Sequence, residues 1–493
     1  MLTSAPPISD RYSRRTWWFV YGVWAAMLVQ AIIFIVRYSY VGPVIDEWEF
    51  IPAVTGEESM WPWLWKLHNE HRFPLPRLIW LPLTQLAGDF RIGCYLSLAG
   101  VAWCSWMLTA LAVRLRGRLH FADAFFPITL FHAGHWENLR MGYQVVFMMN
   151  LVLASILLRL ILTTDRSNLL ARGIQAGVVT ILLLLCGAGG LAYGPFMAIW
   201  FVALAVWFGR ADFGPASRWR VAIILALTAL IPLYVYIYLQ GYHRPSHHDD
   251  PVEIWGSHSE AAWQALRSGL QALSTGFGPA TNGLWPLSAL IISLVGFECL
   301  QHMLRVLSSQ RDDRPRASGL LLFLGALAFM AYGIGWGRCT WQTPDGQPGF
   351  MGLSSRYGWI VWPALAAIYF QWLIYGGPRL SRWIPVIMLG IVIAMLPFNI
   401  VTGFQEAEKY RATNVAWEKS VRDGMSDEEL IDKYYSNYFG ELKLRMGTGL
   451  HLLRKHRFQY YRPLDATPPS RIRPRRRRTG FNQYFGAHDR ERE

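Results

Sequence analysis

Between Val41 and Arg77 the chain reads VGPVIDEWEF…WPWLWKLHNEHRFPLPR, crowding Asp46, Glu47, Glu49, Glu57, Glu58, His68, Glu70, His71 and Arg72 between two apolar stretches. Ionisable groups beside apolar helices need partners or a function. Asp46 and Glu47 stand about ten residues past the first apolar run, next to Trp48. A carboxylate partly shielded in this way can keep a pKa suited to taking a proton from a hydroxyl group. Glycosyl transfer to an alcohol asks for such a base, for a clamp on the leaving phosphate and for groups that orient the sugar. The competing reading makes Asp46 and Glu47 solvated loop acids, or Asp46 a helix cap.

Other clusters supply the remaining roles. His68, Glu70, His71 and Arg72 form HNEHR. The i, i+3 histidines without an HExxH order, next to a guanidinium, fit a hydrogen-bonding or phosphate-holding cluster better than a metal site. Arg72 and Arg77 can grip phosphate oxygens or snorkel to lipid headgroups. Glu137, Asn138 and Arg140, followed by Tyr143 and Gln144, lie at the mouth of two short apolar segments, where they either line the same pocket or lock helices together. Arg338 and the Ser354-Ser355-Arg356-Tyr357 element flank a further loop, and an arginine at a lipid boundary suits a lipid-linked phosphate. The HHDD run at His247–Asp250 has no helical or strand context and reads as a solvated loop.

The elements that must position these groups are membrane helices. The 493 residues are 53% hydrophobic and only 16% charged, and the mean hydropathy is +0.20, which excludes an ordinary soluble domain. The 24 Trp and 22 Tyr suit interfacial belts and stacking on sugars. Apolar runs at 17–36, 92–113, 121–135, 143–162, 173–192, 195–209, 221–239, 285–304, 317–335, 357–376 and 383–401 predict about eleven spans of an all-α bundle. Arginine clusters at 11–15, 114–118, 166–172, 210–220, 305–316 and 379–382 occupy every second gap, which puts the N-terminus (1–16) and those loops in the cytoplasm. The net charge of +14 is thereby a matter of topology, and nucleic acid is not the expected partner. The long first loop (37–91), the other gaps and the C-terminal stretch then face outward. Pro74–Asp89 is expected to lie in the outer interface. Residues 402–462 read as a small helical appendage with a capping box at Ser426 and Glu429, and 463–493 as a basic disordered tail. The five cysteines show neither a disulfide framework nor metal spacing. Walker A, GxGxxG and GxSxG elements are absent.

An acidic pair after the first span in a long outer loop, about eleven spans and an outer appendage resemble the GT-C superfamily of polyprenyl-phosphate-sugar-dependent glycosyltransferases. That group includes protein O-mannosyltransferases, the lipid A aminoarabinose transferase and arabinofuranosyltransferases. Asp46-Glu47-Trp48, His68–Arg72, Trp136–Gln144 and Ser354–Tyr357 carry the likeness, which covers about residues 10–400. The resemblance implies that Asp46, with Glu47 second, is the catalytic base or orients the acceptor, and that Arg356 meets the donor phosphate. The large C-terminal carbohydrate-binding domain of many members has no counterpart here.

The expectation is therefore an inverting glycosyltransferase of a bacterial inner membrane. It would carry a sugar from a polyprenyl-phosphate donor to an envelope glycan, lipid or protein acceptor, in contact with membrane lipid. No cofactor is required, and a divalent cation is not compulsory. The alternatives are a transporter or flippase of a lipid-linked saccharide, which calls for inverted repeats and ionisable groups deep in the spans, and a noncatalytic membrane scaffold.

Overall fold

The structure, a computed structural model, describes residues 13–208, 215–243, 249–309, 311–341, 351–435 and 440–461. Among these residues it is all-α, with a lone β-bridge between His68 and His71. The principal helices are α1 (Arg14–Tyr38), α2 (Pro74–Ala87), α3 (Ile92–Arg116), α4 (Val145–Leu162), α5 (Leu169–Leu184), α6 (Tyr193–Val202), α7 (Pro215–Leu239), α8 (His258–Ser274), α9 (Trp285–Ser309), α10 (Arg314–Trp336), α11 (Pro363–Tyr375), α12 (Gly377–Arg422), α13 (Asp427–Tyr435) and α14 (Gly440–Lys455). Nine helical stretches among the described residues are long and apolar enough to cross a membrane. Their outward faces remain apolar: Ile33 and Val36 on α1 and Leu290, Leu294 and Phe297 on α9 are exposed, which suits a lipid surround.

The expected count of about eleven differs from nine for physical reasons. Helix α5 has only 16 residues, ended by Gly187 at φ 95°. Segment 121–135 is no continuous helix: a 3₁₀ turn at Phe121–Ala124 leads into a seven-residue helix, Phe125–Phe131, and a second 3₁₀ turn. It still joins the two ends of the bundle, Asp123 lying at one and Glu137 at the other. Fourteen residues of helix would rise only about 21 Å, and the passage is buried throughout Ala122–His135, so protein rather than lipid surrounds it.

The loops sort into two ends. At one, the Asp123 carboxylate accepts both hydrogen bonds of Arg116 Nη1 at 2.9 Å, the Tyr369 hydroxyl at 2.7 Å and the His120 amide at 2.8 Å. Arg166 pairs with Asp312 there at 2.7 Å. At the other end, the Leu75 amide reaches the Leu185 carbonyl, Arg72 reaches the Tyr238 carbonyl and Asn399 bridges Phe277 and Ala280. Residues 249–284 are folded rather than a solvated loop: Asp250 caps Pro251–Trp255, and α8 packs against α10. His247 and His248 lie outside the described residues.

Residue 402 is not a structural boundary, because α12 runs unbroken for 46 residues from the apolar span into the appendage. The appendage closes back on the first loop. Trp417 meets Trp48 edge to face at 5.7 Å, Arg445 reaches Glu49 at 2.5 Å, and Lys455 and His456 reach Glu57 at 2.6 and 2.9 Å. The capping box at Ser426 and Glu429 is present, and the basic tail lies outside the described residues.

Removing Asp123 strands the Arg116 guanidinium. An Asp123→Ala variant is expected to lose about 3 kcal/mol of stability, read as a lower midpoint in detergent unfolding; an unchanged midpoint would show that the passage needs no such lock.

Candidate functional site

The acids of the first loop share one short 3₁₀ helix, Ile45–Phe50, yet occupy different environments. Ile45 sits at φ 47°, a region a β-branched residue enters only under constraint. Asp46 follows it and is half-buried. Glu47 is buried, and its carboxylate accepts the Val44 amide at 2.8 Å and the Tyr143 amide at 2.8 Å. It is a latch between the first loop and the turn opening α4. The latch is possible because Gly142 lies against the Phe90 backbone, where a Cβ would collide with the Phe90 carbonyl oxygen. Burial pushes the Glu47 carboxyl up to about 8, against the two amides and Arg140, which favour the charge.

Glu49, to which the sequence alone gives no role, is the acid of this short helix most tightly held by side chains. Its Oε2 takes His68 Nδ1 at 2.7 Å and Arg445 Nη1 at 2.5 Å. Burial would raise its pKa, but His68 and Arg445 hold it down at about 2. Conversely, burial opposes the charge on His68, and Glu49 and Asp46 outweigh it, raising the imidazole above its ordinary value. The HNEHR segment is a tight turn in which His68 and His71 exchange backbone hydrogen bonds and Asn69 takes φ 50°. Burial and the Arg338 charge lower His71, outweighing Glu70, whose carboxylate is 3.4 Å from it. Arg72 does not point to a substrate. It donates from Nε to the Tyr238 carbonyl at 3.1 Å and from its two terminal nitrogens to the Trp65 and Gln240 carbonyls, stapling this turn to the end of α7. Arg77 is also structural, buried among Phe50, Trp63 and Phe73 with Nη1 on the Trp63 and Lys66 carbonyls.

The 136–144 and 354–357 segments, far apart in the chain, meet in the fold. One Glu137 oxygen accepts Ser354 Oγ at 2.7 Å, Ser355 Oγ at 2.9 Å and the Arg356 amide at 2.9 Å, and the other lies 3.3 Å from Arg356 Nη2. Asn138 donates to the Arg356 carbonyl at 3.2 Å. Burial disfavours the Glu137 carboxylate, but Arg356 and the three donors prevail and hold it below the usual range. Burial likewise opposes charge on Arg356, but Glu137, the Tyr357 phenol and Asp46 hold it above its ordinary range. The Arg356 side chain keeps 27% of its surface exposed, so it is fixed without being sealed off. Arg338 Nε donates to the Tyr357 hydroxyl at 2.5 Å.

Asp46, Glu47, His68, His71, Glu137, Asn138, Arg140, Tyr143, Arg338, Arg356 and Tyr357 thus gather at one end of the bundle. Tyr143 packs against Phe50 and Phe73 at tilted angles and against His68 edge-on, and lies in the field of both Asp46 and Arg356. Arg140 is buried, 3.9 Å over the Tyr410 ring. Gln144 stays inside, its amide nitrogen 3.8 Å from Met141 Sδ. Among the described residues no three His, Cys, Asp or Glu side chains are grouped to share a metal ion.

Glu47 holds its proton more tightly folded than unfolded. Its contribution to stability is therefore present at low pH and is lost as pH rises from its ordinary 4.5 through about 8. Unfolding midpoints across that interval are expected to fall in the wild type and to vary less in Glu47→Gln; identical slopes would remove Glu47 as the titrating latch.

In comparisons with known proteins, the chain matches no family model, no curated protein and no solved structure.

Proposed function

We propose that the protein is a polytopic membrane glycosyltransferase that moves a sugar from a polyprenyl-phosphate donor to an acceptor hydroxyl outside the cytoplasm of a bacterium. The observation that carries this reading is a half-buried carboxylate, Asp46, on the turn that Glu47 latches to Tyr143, at the same end of the bundle as a guanidinium, Arg356, that Glu137 fixes while 27% of its side chain stays exposed. A base and a phosphate clamp sharing one locus are what glycosyl transfer from a phosphate ester requires.

In the proposed step the acceptor oxygen bonds to the anomeric carbon as the carbon–oxygen bond to phosphate breaks. The hydroxyl proton passes to Asp46, and the bond's electron pair leaves with the polyprenyl phosphate, whose charge Arg356 stabilises. Glu137 and its serines hold Arg356 in place, and Glu47 holds the loop that carries Asp46. The half-buried Tyr143 ring offers an aromatic face for a sugar. Phosphate is a good leaving group, so the step calls for no metal and no cofactor. The exposed apolar flanks of the helices suit a donor whose polyprenyl chain stays in lipid. Arg72, Arg77 and Gln144 have no part in this step, since their donors are directed to backbone carbonyls or into the core. The arginine pattern of the loops, which puts the N-terminus in the cytoplasm, supports a site on the outer face.

In proteoliposomes given a radiolabelled polyprenyl-phosphate sugar, Asp46→Asn is expected to slow transfer by about 10²- to 10⁴-fold while leaving donor binding largely intact. Arg356→Gln is expected to weaken both donor binding and turnover. Undiminished transfer in Asp46→Asn would end the assignment of the base, and movement of intact lipid-linked saccharide without transfer would favour a flippase.

A further inference from the structure

A concavity of about 200 Å³ lies between the end of α1, the start of α3 and the appendage half of α12. Arg37, Arg91, Arg411, Asn414 and Glu418 line it beside Tyr38. None of these residues belongs to the Asp46 site. We propose that this pocket binds the phosphate of a membrane lipid's headgroup.

Three guanidinium groups converge on it, and their existing partners differ. Arg91 is chelated by Asp89, with Nε at 3.0 and 3.1 Å and Nη2 at 2.6 Å from the carboxylate oxygens. Arg411 donates to Glu408 at 2.9 Å. Arg37 has only a loose 3.7 Å ion pair with the same Glu408, and its side chain is 58% exposed. Arg37 is the cation with donors to spare, and the exposed Arg411–Glu408 pair is a weak competitor for a dianionic or diester phosphate. Asn414 adds an amide, and Glu418, whose Oε1 accepts Arg422 Nε and Nη2 at 2.9 and 2.6 Å, leaves its other oxygen to complement the hydroxyl or ammonium substituent that lipid headgroups carry on the phosphate.

The position of the pocket selects a lipid over a soluble ion. Ile33 and Val36 on α1 and Phe398 and Val401 on α12 form exposed apolar surface leading up to it, and Arg37 is the first charged residue of α1 beyond that surface. Acyl or prenyl chains covering this surface would bring their phosphate to the level of Arg37. The pocket also joins α1 and α12 at the base of the appendage, so an occupant would brace the appendage that Arg445 anchors to Glu49.

The test uses the purified full chain in micelles with three probes: dihexanoyl phosphatidylglycerol, farnesyl phosphate and inorganic phosphate. Wild type is expected to bind at least one lipid-borne phosphate more tightly than inorganic phosphate. The Arg37→Gln/Arg91→Gln variant is expected to bind that probe about tenfold more weakly or less, and Arg379→Gln, an exposed arginine at the opposite end of α12, is expected to bind as wild type. A preference for the diester identifies a bulk phospholipid, and one for the monoester a prenyl carrier; both support the site. Should the double variant fail to fold, Arg37→Gln alone is read in its place. Equal binding by wild type and the Arg37 variants, an equal loss in Arg379→Gln, or no lipid preference over inorganic phosphate would overturn the proposal. The readout is binding alone, so the result stands apart from whether Asp46 is a base.

Discussion

One carboxylate organises the functional end of this molecule. Glu137 is buried at the end of a short helical passage, where an unsatisfied charge would be very costly. It is satisfied by Ser354, Ser355 and the backbone and side chain of Arg356, more than 200 residues further along the chain. That single demand ties the passage at 136–140 to the loop opening the Tyr357–Tyr375 span. It also aims the Arg356 guanidinium, because a bidentate-capable cation held from its own amide and its tip has little freedom left. Everything proposed for the site depends on this fixed cation.

The first loop answers it with three acids in three states. Glu47 is sealed behind two amides, Glu49 is spent on His68 and Arg445, and Asp46 alone stays half-open on a turn whose backbone is forced by Ile45. Neighbouring carboxylates given different surroundings acquire different chemistry, and this division separates structural acids from a candidate base. The appendage takes part as well. Through Arg445 it holds Glu49, which holds His68, so the C-terminal helices buttress the wall of the site from outside the bundle.

Much of this was legible in the sequence. Apolar run lengths gave the all-α bundle, because helix length is a local property of the chain. The density of polar residues at 46–72, 136–144 and 354–357 marked the segments that converge. What could not be read was the direction of each side chain. Arg72 looked like a phosphate ligand but is spent on three carbonyls, one of them Tyr238, 166 residues away. Glu49 lies one turn beyond Asp46 and could have been weighed with it, whereas its partner Arg445 carried no signal at all, being 396 residues distant in a segment that looked like a solvated helix. The passage at 121–135 reads as a span in the sequence because composition reports apolarity without revealing whether lipid or protein supplies the surroundings.

The central claim is that Asp46 and Arg356 act on one bound substrate. A cryo-electron microscopy structure with a non-transferable polyprenyl-phosphate sugar analogue tests it most directly. The phosphate is expected within hydrogen-bonding distance of Arg356, with the anomeric carbon between it and Asp46. A phosphate bound elsewhere, or an anomeric carbon more than about 15 Å from Asp46, would contradict it, since catalytic groups must share one substrate.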